Sequence, residues 1–352
     1  FFPNGITAVQ LFYVISGFYM ALILNRKYTD QKDANWLFYS NRFLRLWPSI
    51  FLVNILVLTS FLIFDHVVLF NYEKPLEEAL GFFSGLDIWS KLSIIGANIL
   101  VLGQDALWFL RFDDYSGISF APFGDDPTHN GSSFSLNHPL FTVAIEGWFY
   151  LIAPLVLRRG LIVSFLIAFM GALFHLSLVV GGHYHLSWSY FFFFSAFYFF
   201  FLGASAFHFF MGKKYIKGFG RIVRENRFLF TFICSAVVLF ILSIYRLLPV
   251  PGIFLDAAQG PVLAPLLALT IPAMFLISSK SAYDRFIGDL SFSIYIVHYP
   301  ILAWYKIFVP SEWLFRATLI SSILAAIFLY MAVEKPVDRW RQRRALSSGV
   351  YI

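Results

Sequence analysis

The sequence holds a single cysteine, Cys234, so neither a disulfide framework nor a multi-cysteine metal site can be built from it. Charge is scarce too. Asp, Glu, Lys and Arg make up 13% of the 352 residues, where an average soluble domain carries roughly a quarter. So little charge cannot clothe a water-soluble globule of this length. No internal repeat, sustained heptad or polar linker is present, which excludes a solenoid, a long coiled coil and an appended soluble module. The start at Phe1 lacks a basic n-region and a small-residue cleavage site, so no secretory signal peptide is legible there. The net charge of +6 is no nucleic-acid signature either. Its Lys and Arg residues fall between apolar runs and are not gathered with stacking aromatics.

What is abundant is apolar surface: 59% hydrophobic residues, 45 of them Phe, and a mean hydropathy of +0.73. Runs such as Phe191 to Phe194 and Phe199 to Phe201 put rings on every side of a helix, as a lipid-facing segment requires. The expected fold is therefore all-α, a polytopic transmembrane helical bundle forming one domain over residues 1–352. Runs long enough to cross about 30 Å of hydrocarbon occupy residues 7–24, 47–70, 139–157, 160–181, 187–211, 228–248, 261–278, 287–309 and 314–333, nine spans in all. A further run, 92–110, is interrupted by Gln104 and Asp105 and is compatible with spanning, re-entry or an interfacial position, of which the loop charges favour the two that do not cross.

Loop charge sets the expected orientation. With 92–110 not crossing, 20 of the 26 Lys and Arg residues fall on one side, in 25–46, 158–159, 212–227, 279–286 and the basic tail 335–352. Cytoplasmic loops are the ones enriched in Lys and Arg. The tail is then cytoplasmic, and the acidic stretch 71–138, with Glu73, Glu77, Glu78, Asp113, Asp114, Asp125 and Asp126, is external. Phe1 also falls outside. A chain that starts there without a signal peptide is expected to have lost one upstream helix, which would bring the intact protein to about ten spans.

Ionisable groups inside spans cost ~2.5–3.5 kcal/mol each on insertion scales, so function is sought among them. Glu146 lies about two turns inside its helix and must be paired, protonated or facing water. It is read either as a structural hydrogen-bonding group between helices or as part of a reaction cavity. His298 precedes Pro300, whose missing N–H frees the carbonyl of Ile296 for a side chain or a water. His298 is either a core histidine donating to a neighbouring helix or a proton-handling group in a lined cavity. Arg42 and Arg45, spaced i, i+3, share a helix face, and two forked donors suit either lipid headgroups or a phosphorylated ligand. His138 can point toward the same external cavity as Glu146. Ser16 supplies a hydroxyl to a cavity or packs helices. Glu334 reads as a helix-end anchor, and Asp289 and Ser291 read as caps of the helix carrying His298. His183 and His185 have no third ligand in the sequence, and no metal site is expected.

Taken in order, five segments resemble the acyltransferase 3 family, integral-membrane enzymes that acylate sugars of bacterial surface polysaccharides and peptidoglycan. Leu11-Phe-Tyr-Val-Ile-Ser-Gly-Phe18 is similar to the family's LFFVLSGF helix, and Arg42 to Pro48 to its R-x-x-R-x-x-P block. Phe141 to Tyr150 resembles WSLSVEEQFY, Leu290 to Pro300 resembles LSYSLYLWHWP, and Tyr330 to Pro336 resembles the closing IExP. The departures are Phe141 for Trp, Gly147 for the second acid and Gln10 for an acidic residue.

The resemblance implies a membrane O-acyltransferase in the bacterial inner membrane, moving an acyl group, acetyl above all, from cytoplasmic acyl-coenzyme A to a hydroxyl of a cell-surface or lipid-linked sugar. It implies that the family's catalytic Arg and His belong to the helix expected upstream, that Arg42 and Arg45 hold the donor phosphates, and that Glu146 and His298 lie at the reaction centre. Ser16 and His138 are the residues expected beside the acceptor. The competing classes are a transporter or flippase of a lipid-linked glycan, for which Glu146 and His298 would line a polar path, and a catalytically inactive scaffold.

Overall fold

The computed structural model describes residues 5–28, 34–69, 72–113, 117–122, 130–183, 185–212, 216–247 and 253–347. In chain order these form α1 (Gly5–Arg26), α2 (Ala34–Phe64), β1 (His66–Leu69), β2 (Tyr72–Pro75), α3 (Leu76–Gly85), α4 (Ile88–Leu100), β3 (Leu110–Asp113) and β4 (Gly117–Phe120). Then follow α5 (Leu140–Val156), α6 (Leu161–Val180), α7 (Phe193–Met211), α8 (Ile216–Glu225), α9 (Arg227–Leu247), α10 (Ile253–Ser278), α11 (Ala282–Phe308), α12 (Ser311–Leu329) and α13 (Lys335–Ser347). Asp114, Asp125, Asp126, Lys32, Lys213 and Lys214, which entered the charge count, and residues 348–352 of the tail lie outside the described residues.

Eight helical segments among the described residues are long and apolar enough to cross a bilayer. They are α1, α2, α5 with its following turn, α6, α7, residues 260–278 of α10, α11, and α12 running through into α13. Helix α9, 21 residues long, adds a further helix of crossing length. The chain is an all-α, multi-pass membrane protein.

Three boundaries differ from the sequence reading, each for a local reason. Helix α2 begins at Ala34, not near residue 47, and runs 31 residues with Pro48 inside it. It ends at Phe64, because Asp65 turns into the left-handed region at φ 50° and the β-branched run after it pairs with β2 as an antiparallel hairpin. The run 92–110 divides at Val101, another left-handed residue at φ 63°, with α4 before it and a 3₁₀ turn, Ala106–Phe109, after it. Asp289 and Ser291 are not caps. Helix α11 starts seven residues before Asp289, at Ala282, where the Ser281 hydroxyl accepts from the Asp284 N–H at 3.2 Å.

The chain divides into two compact units. The first holds residues 1–35 and 148–285. Its helices pack through small residues: a Cβ on Gly17 would sit 1.8 Å from the Phe200 carbonyl oxygen, and one on Gly203 would sit 1.9 Å from that of Val14. Helices α1 and α7 therefore touch backbone to backbone, the association mode expected where lipid removes the hydrophobic drive between helices. Rings close the gaps around this contact, Tyr13 on Phe200 at 4.6 Å and Phe149 on Phe200 at 4.1 Å. Gly171 of α6 approaches Tyr198 of α7 in the same way, and His175 Nε2 hydrogen-bonds the Ser195 carbonyl at 3.2 Å, close to where Phe192 breaks the helix at ψ 121°.

The second unit holds residues 36–147 and 286–352. Here the segment between α2 and α5 folds on its own small core of Leu86, Ile94, Ala97, Leu107 and Phe112. Buried amides tie its loops together: Asn98 Nδ2 donates to the carbonyls of Ile94 and Phe134, both at 2.9 Å, while Asn98 Oδ1 accepts from the Leu136 N–H at 2.8 Å. The last of these loops delivers residues 137–139 to the start of α5.

Candidate functional site

Within the second unit, the chain entering α5 is bonded to the proline-disturbed stretch of α11. Pro300 cannot donate to the Ile296 carbonyl, and Asn137 supplies the missing donor from its Nδ2 at 2.7 Å. Asn137 is fully buried. Two residues on, the Pro139 carbonyl accepts from the hydroxyls of Tyr295, at 3.0 Å, and Thr142, at 2.9 Å. Those two hydroxyls also meet each other at 2.7 Å. Thr142 and Glu146 are spaced i, i+4, so Glu146 stands one turn further along the same face. It is 5% exposed, and its carboxylate acts electrostatically on the Tyr295 hydroxyl.

His298 is half-buried one turn along α11 from Tyr295, and its Nδ1 lies 2.7 Å from the Tyr295 carbonyl. A carbonyl only accepts, so Nδ1 carries the hydrogen and the neutral ring keeps its lone pair on Nε2. That tautomer suits a proton acceptor. His138 is enclosed by rings: Trp108 at 4.5 Å, Tyr299 stacked at 5.3 Å and Phe141 at 6.3 Å. Burial pushes its imidazole down to about 3 and so holds it neutral throughout the physiological range. It therefore presents an uncharged face.

A second polar feature of this unit is a cleft of about 250 Å³ lined by Arg45, Ser49, Asp289, Tyr330, Glu334, Arg341 and their neighbours. Two prolines shape it. Pro48 leaves the Leu44 carbonyl without its helical donor, and Pro336 lies just beyond a π-helical turn, Tyr330–Glu334, that joins α12 to α13. The turn aims Glu334 inward. Its Oε1 accepts from Ser293 Oγ at 2.6 Å, the Ser49 hydroxyl donates to the same carboxylate, and Arg45 supplies a nearby positive charge.

In the second unit His138 and His298 thus share the Tyr299 ring as a neighbour and Glu146 acts on Tyr295, while Arg45 belongs to the cleft. Arg42 does not line that cleft; it is 8% exposed, with its guanidinium over the Phe38 ring at 5.8 Å. Ser16 belongs to the first unit, 6% exposed beside the Gly17 contact. The sequence reading passes over Asn137 and Tyr295 and takes Glu334 only as an anchor. The orphaned carbonyl that Pro300 creates is the signal for Asn137, but nothing in the spacing says which of the distant amides fills it.

The family model described as an acyltransferase domain, that of the acyltransferase 3 family, matches residues 1–333. This chain belongs to that family. It is a membrane acyltransferase. No curated protein and no solved structure matches it. The structure gives reasons for two of its departures from the acyltransferase 3 pattern. At Gly147, a Cβ would meet Leu102 Cδ2 at 2.6 Å, so the room for a second carboxylate beside Glu146 is filled by that leucine. Phe141 stands in a cluster whose indole is Trp108, 5.3 Å away. At the third departure, Gln10 is buried with its amide laid against Gly260, where even a Cβ would overlap Oε1.

Proposed function

We propose that this acyltransferase moves an acyl group, acetyl first among them, from acyl-coenzyme A to a hydroxyl of a cell-surface or lipid-linked sugar in a bacterial inner membrane. The observation that carries the reading is Tyr295, whose backbone carbonyl accepts from His298 Nδ1 and leaves the ring's lone pair on Nε2, and whose hydroxyl feels the charge of the buried Glu146. Acyl transfer from a thioester requires a base for the hydroxyl proton while the oxygen attacks the carbonyl carbon. His298 Nε2 takes that proton, the C–O bond forms, and the C–S bond breaks to release the coenzyme thiolate, which is protonated in turn. Glu146 and the Tyr295 hydroxyl hold the surrounding polarity, and Tyr299, the half-buried ring stacked on His138, is the aromatic face offered to a sugar ring. Arg45 meets the donor phosphates, with Arg42 supporting the same helix face. The basic ends of the helices face the cytoplasm, where the donor is made, and the C-terminus lies on that side.

The test is acyl transfer in membranes holding the protein, with radiolabelled acetyl-coenzyme A as donor and extracted glycan as the pool counted. Label is expected in the glycan, falling about 10²- to 10⁴-fold in His298→Gln, the range that loss of a positioned base removes. Label that persists in His298→Gln removes the base assignment. Absence of label with any acyl-coenzyme A, while a lipid-linked sugar crosses the membrane, would assign the buried polar groups to a transport path.

A further inference from the structure

The C-terminal helix is not a loose basic tail. It lies against the first turns of α2, in the second unit, with two guanidinium groups fixed there: Arg341 Nη1 donates to the Asn41 carbonyl at 3.3 Å, and Arg344 Nη2 donates to Ser40 Oγ at 2.6 Å and to Asn41 Oδ1 at 2.9 Å. Arg341 also lines the cleft with Arg45, Lys335 and Arg339, so cations of α2 and α13 face one space. Arg341 feels the charges of both Arg42 and Arg45. Like charges are held together only where something compensates them, and here the nearest compensation is Asp338, ion-paired with Arg341 one turn earlier. The cleft's other carboxylates act on the same cations, Asp289 on Arg45 and Arg341 and Glu334 on Arg45, while Asp289 also accepts from Tyr330 and Glu334 from Ser293 and Ser49.

We propose that Arg341 completes a phosphate-ester site with Arg45, so that α13 forms one wall of the donor site and Asp338 occupies that wall's guanidinium until a phosphate replaces it. The proposal rests on the acyl-coenzyme A reading above. A planar guanidinium pinned by a backbone carbonyl at one Nη keeps its fork oriented, which suits bidentate contact with phosphate oxygens. An anionic lipid headgroup offers the same chemistry; the coenzyme is favoured because the Arg341 side chain is 16% exposed and lies in a cleft.

The experiment measures binding of coenzyme A and of 3′-dephospho-coenzyme A to the purified full chain in nanodiscs of neutral lipid. Arg45→Ala and Arg341→Ala are each expected to weaken coenzyme A by about ten- to a hundredfold, the worth of a charge-assisted hydrogen bond. Arg341→Lys falls between, and Arg343→Ala, on the exposed side of α13, leaves binding unchanged. If the wild type binds neither form, the donor reading fails and takes this proposal with it. If Arg45→Ala weakens binding and a folded Arg341→Ala does not, the donor reading stands and this proposal is overturned. Should Arg341→Ala unfold, Asp338→Asn decides: it is expected to tighten coenzyme A about two- to fivefold, whereas unchanged or weaker binding makes the pair structural. Loss of anionic-lipid binding in Arg341→Ala with coenzyme binding intact assigns the site to a headgroup and overturns the proposal as well.

Discussion

The bond from Asn137 to the Ile296 carbonyl can be weighed by a double-mutant cycle, because the proline that creates the need for it can itself be removed. Asn137→Leu keeps the volume of a fully buried side chain but takes away the donor that meets that carbonyl, 2.7 Å away. A buried acceptor stripped of its partner costs about 1–3 kcal/mol. In Pro300→Ala, residue 300 regains an N–H at the i→i−4 position of Ile296, so the helix satisfies the carbonyl internally. The same Asn137→Leu change should then cost about 1–2 kcal/mol less, and that difference is the coupling energy. The assay is thermal unfolding of the four proteins in one detergent at one scan rate, since the midpoint of a membrane protein is read kinetically. At ~2–4 °C per kcal/mol, Asn137→Leu should lower the midpoint by several degrees when Pro300 is present and by clearly less in the Pro300→Ala background. An equal loss in both backgrounds would refute the reasoning, because Asn137 would then be stabilising something other than the orphaned carbonyl.

Three other outcomes are expected. Gly17→Ala and Gly203→Ala each drive a Cβ into facing backbone and should cost ~1–3 kcal/mol or more by overpacking, seen as loss of folded protein in membranes; Gly96→Ala, which meets nothing within 4 Å, should be neutral or mildly stabilising. Because His138 is neutral when folded, held near 3 by burial, the unfolded chain takes up its proton first as pH falls below ~6.5. Its contribution is complete above that pH and drains away toward 3, amounting to ~2 kcal/mol lost at pH 5. His138→Phe should therefore shrink the difference in thermal stability between pH 7 and pH 5, and an unchanged difference would show that another group carries it. Glu146→Gln, which keeps the shape and removes the charge, should lower acyl transfer while leaving coenzyme A binding intact, measured on the same membranes.

The helices are legible in the sequence because apolar runs of crossing length admit few other structures, and an interruption within 92–110 is legible from Gln104 and Asp105, although the helix stops earlier, at Leu100. Helix ends are less so. A run of hydropathy does not report where a left-handed residue stops it, and Asp65 and Val101 set two boundaries by backbone conformation alone. Hydropathy also hides the start of α2, because Arg42 and Arg45 lower the average over a stretch that is helical through Pro48. At the site, Glu146 and His298 can be singled out because charge and imidazole are rare in apolar helices. Asn137, Thr142 and Tyr295 cannot, since amides and hydroxyls are common and their value lies in partners up to 159 residues away. Glu334 reads as an anchor because it ends an apolar run; the π-helical turn that carries it inward has no signature beyond the proline two residues later.

That turn bears on how the sequence can change length. A π-helical turn houses one residue more than an α-helical turn does, so Tyr330–Glu334 behaves as a single-residue insertion absorbed within a helix that otherwise runs from Ser311 to Ser347. Deleting Ala332 would let the segment relax to regular α-helix, and because four residues of α-helix sweep about the angle that five sweep in the wider turn, α13 would keep its face. Arg341 and Arg344 would still meet Ser40 and Asn41, while Glu334 would lose the turn that carries it into the cleft. A deletion in the regular part of α12 has no such turn to absorb it and would rotate α13 by about 100° off that face; this short stretch is therefore where the helix tolerates a change of length.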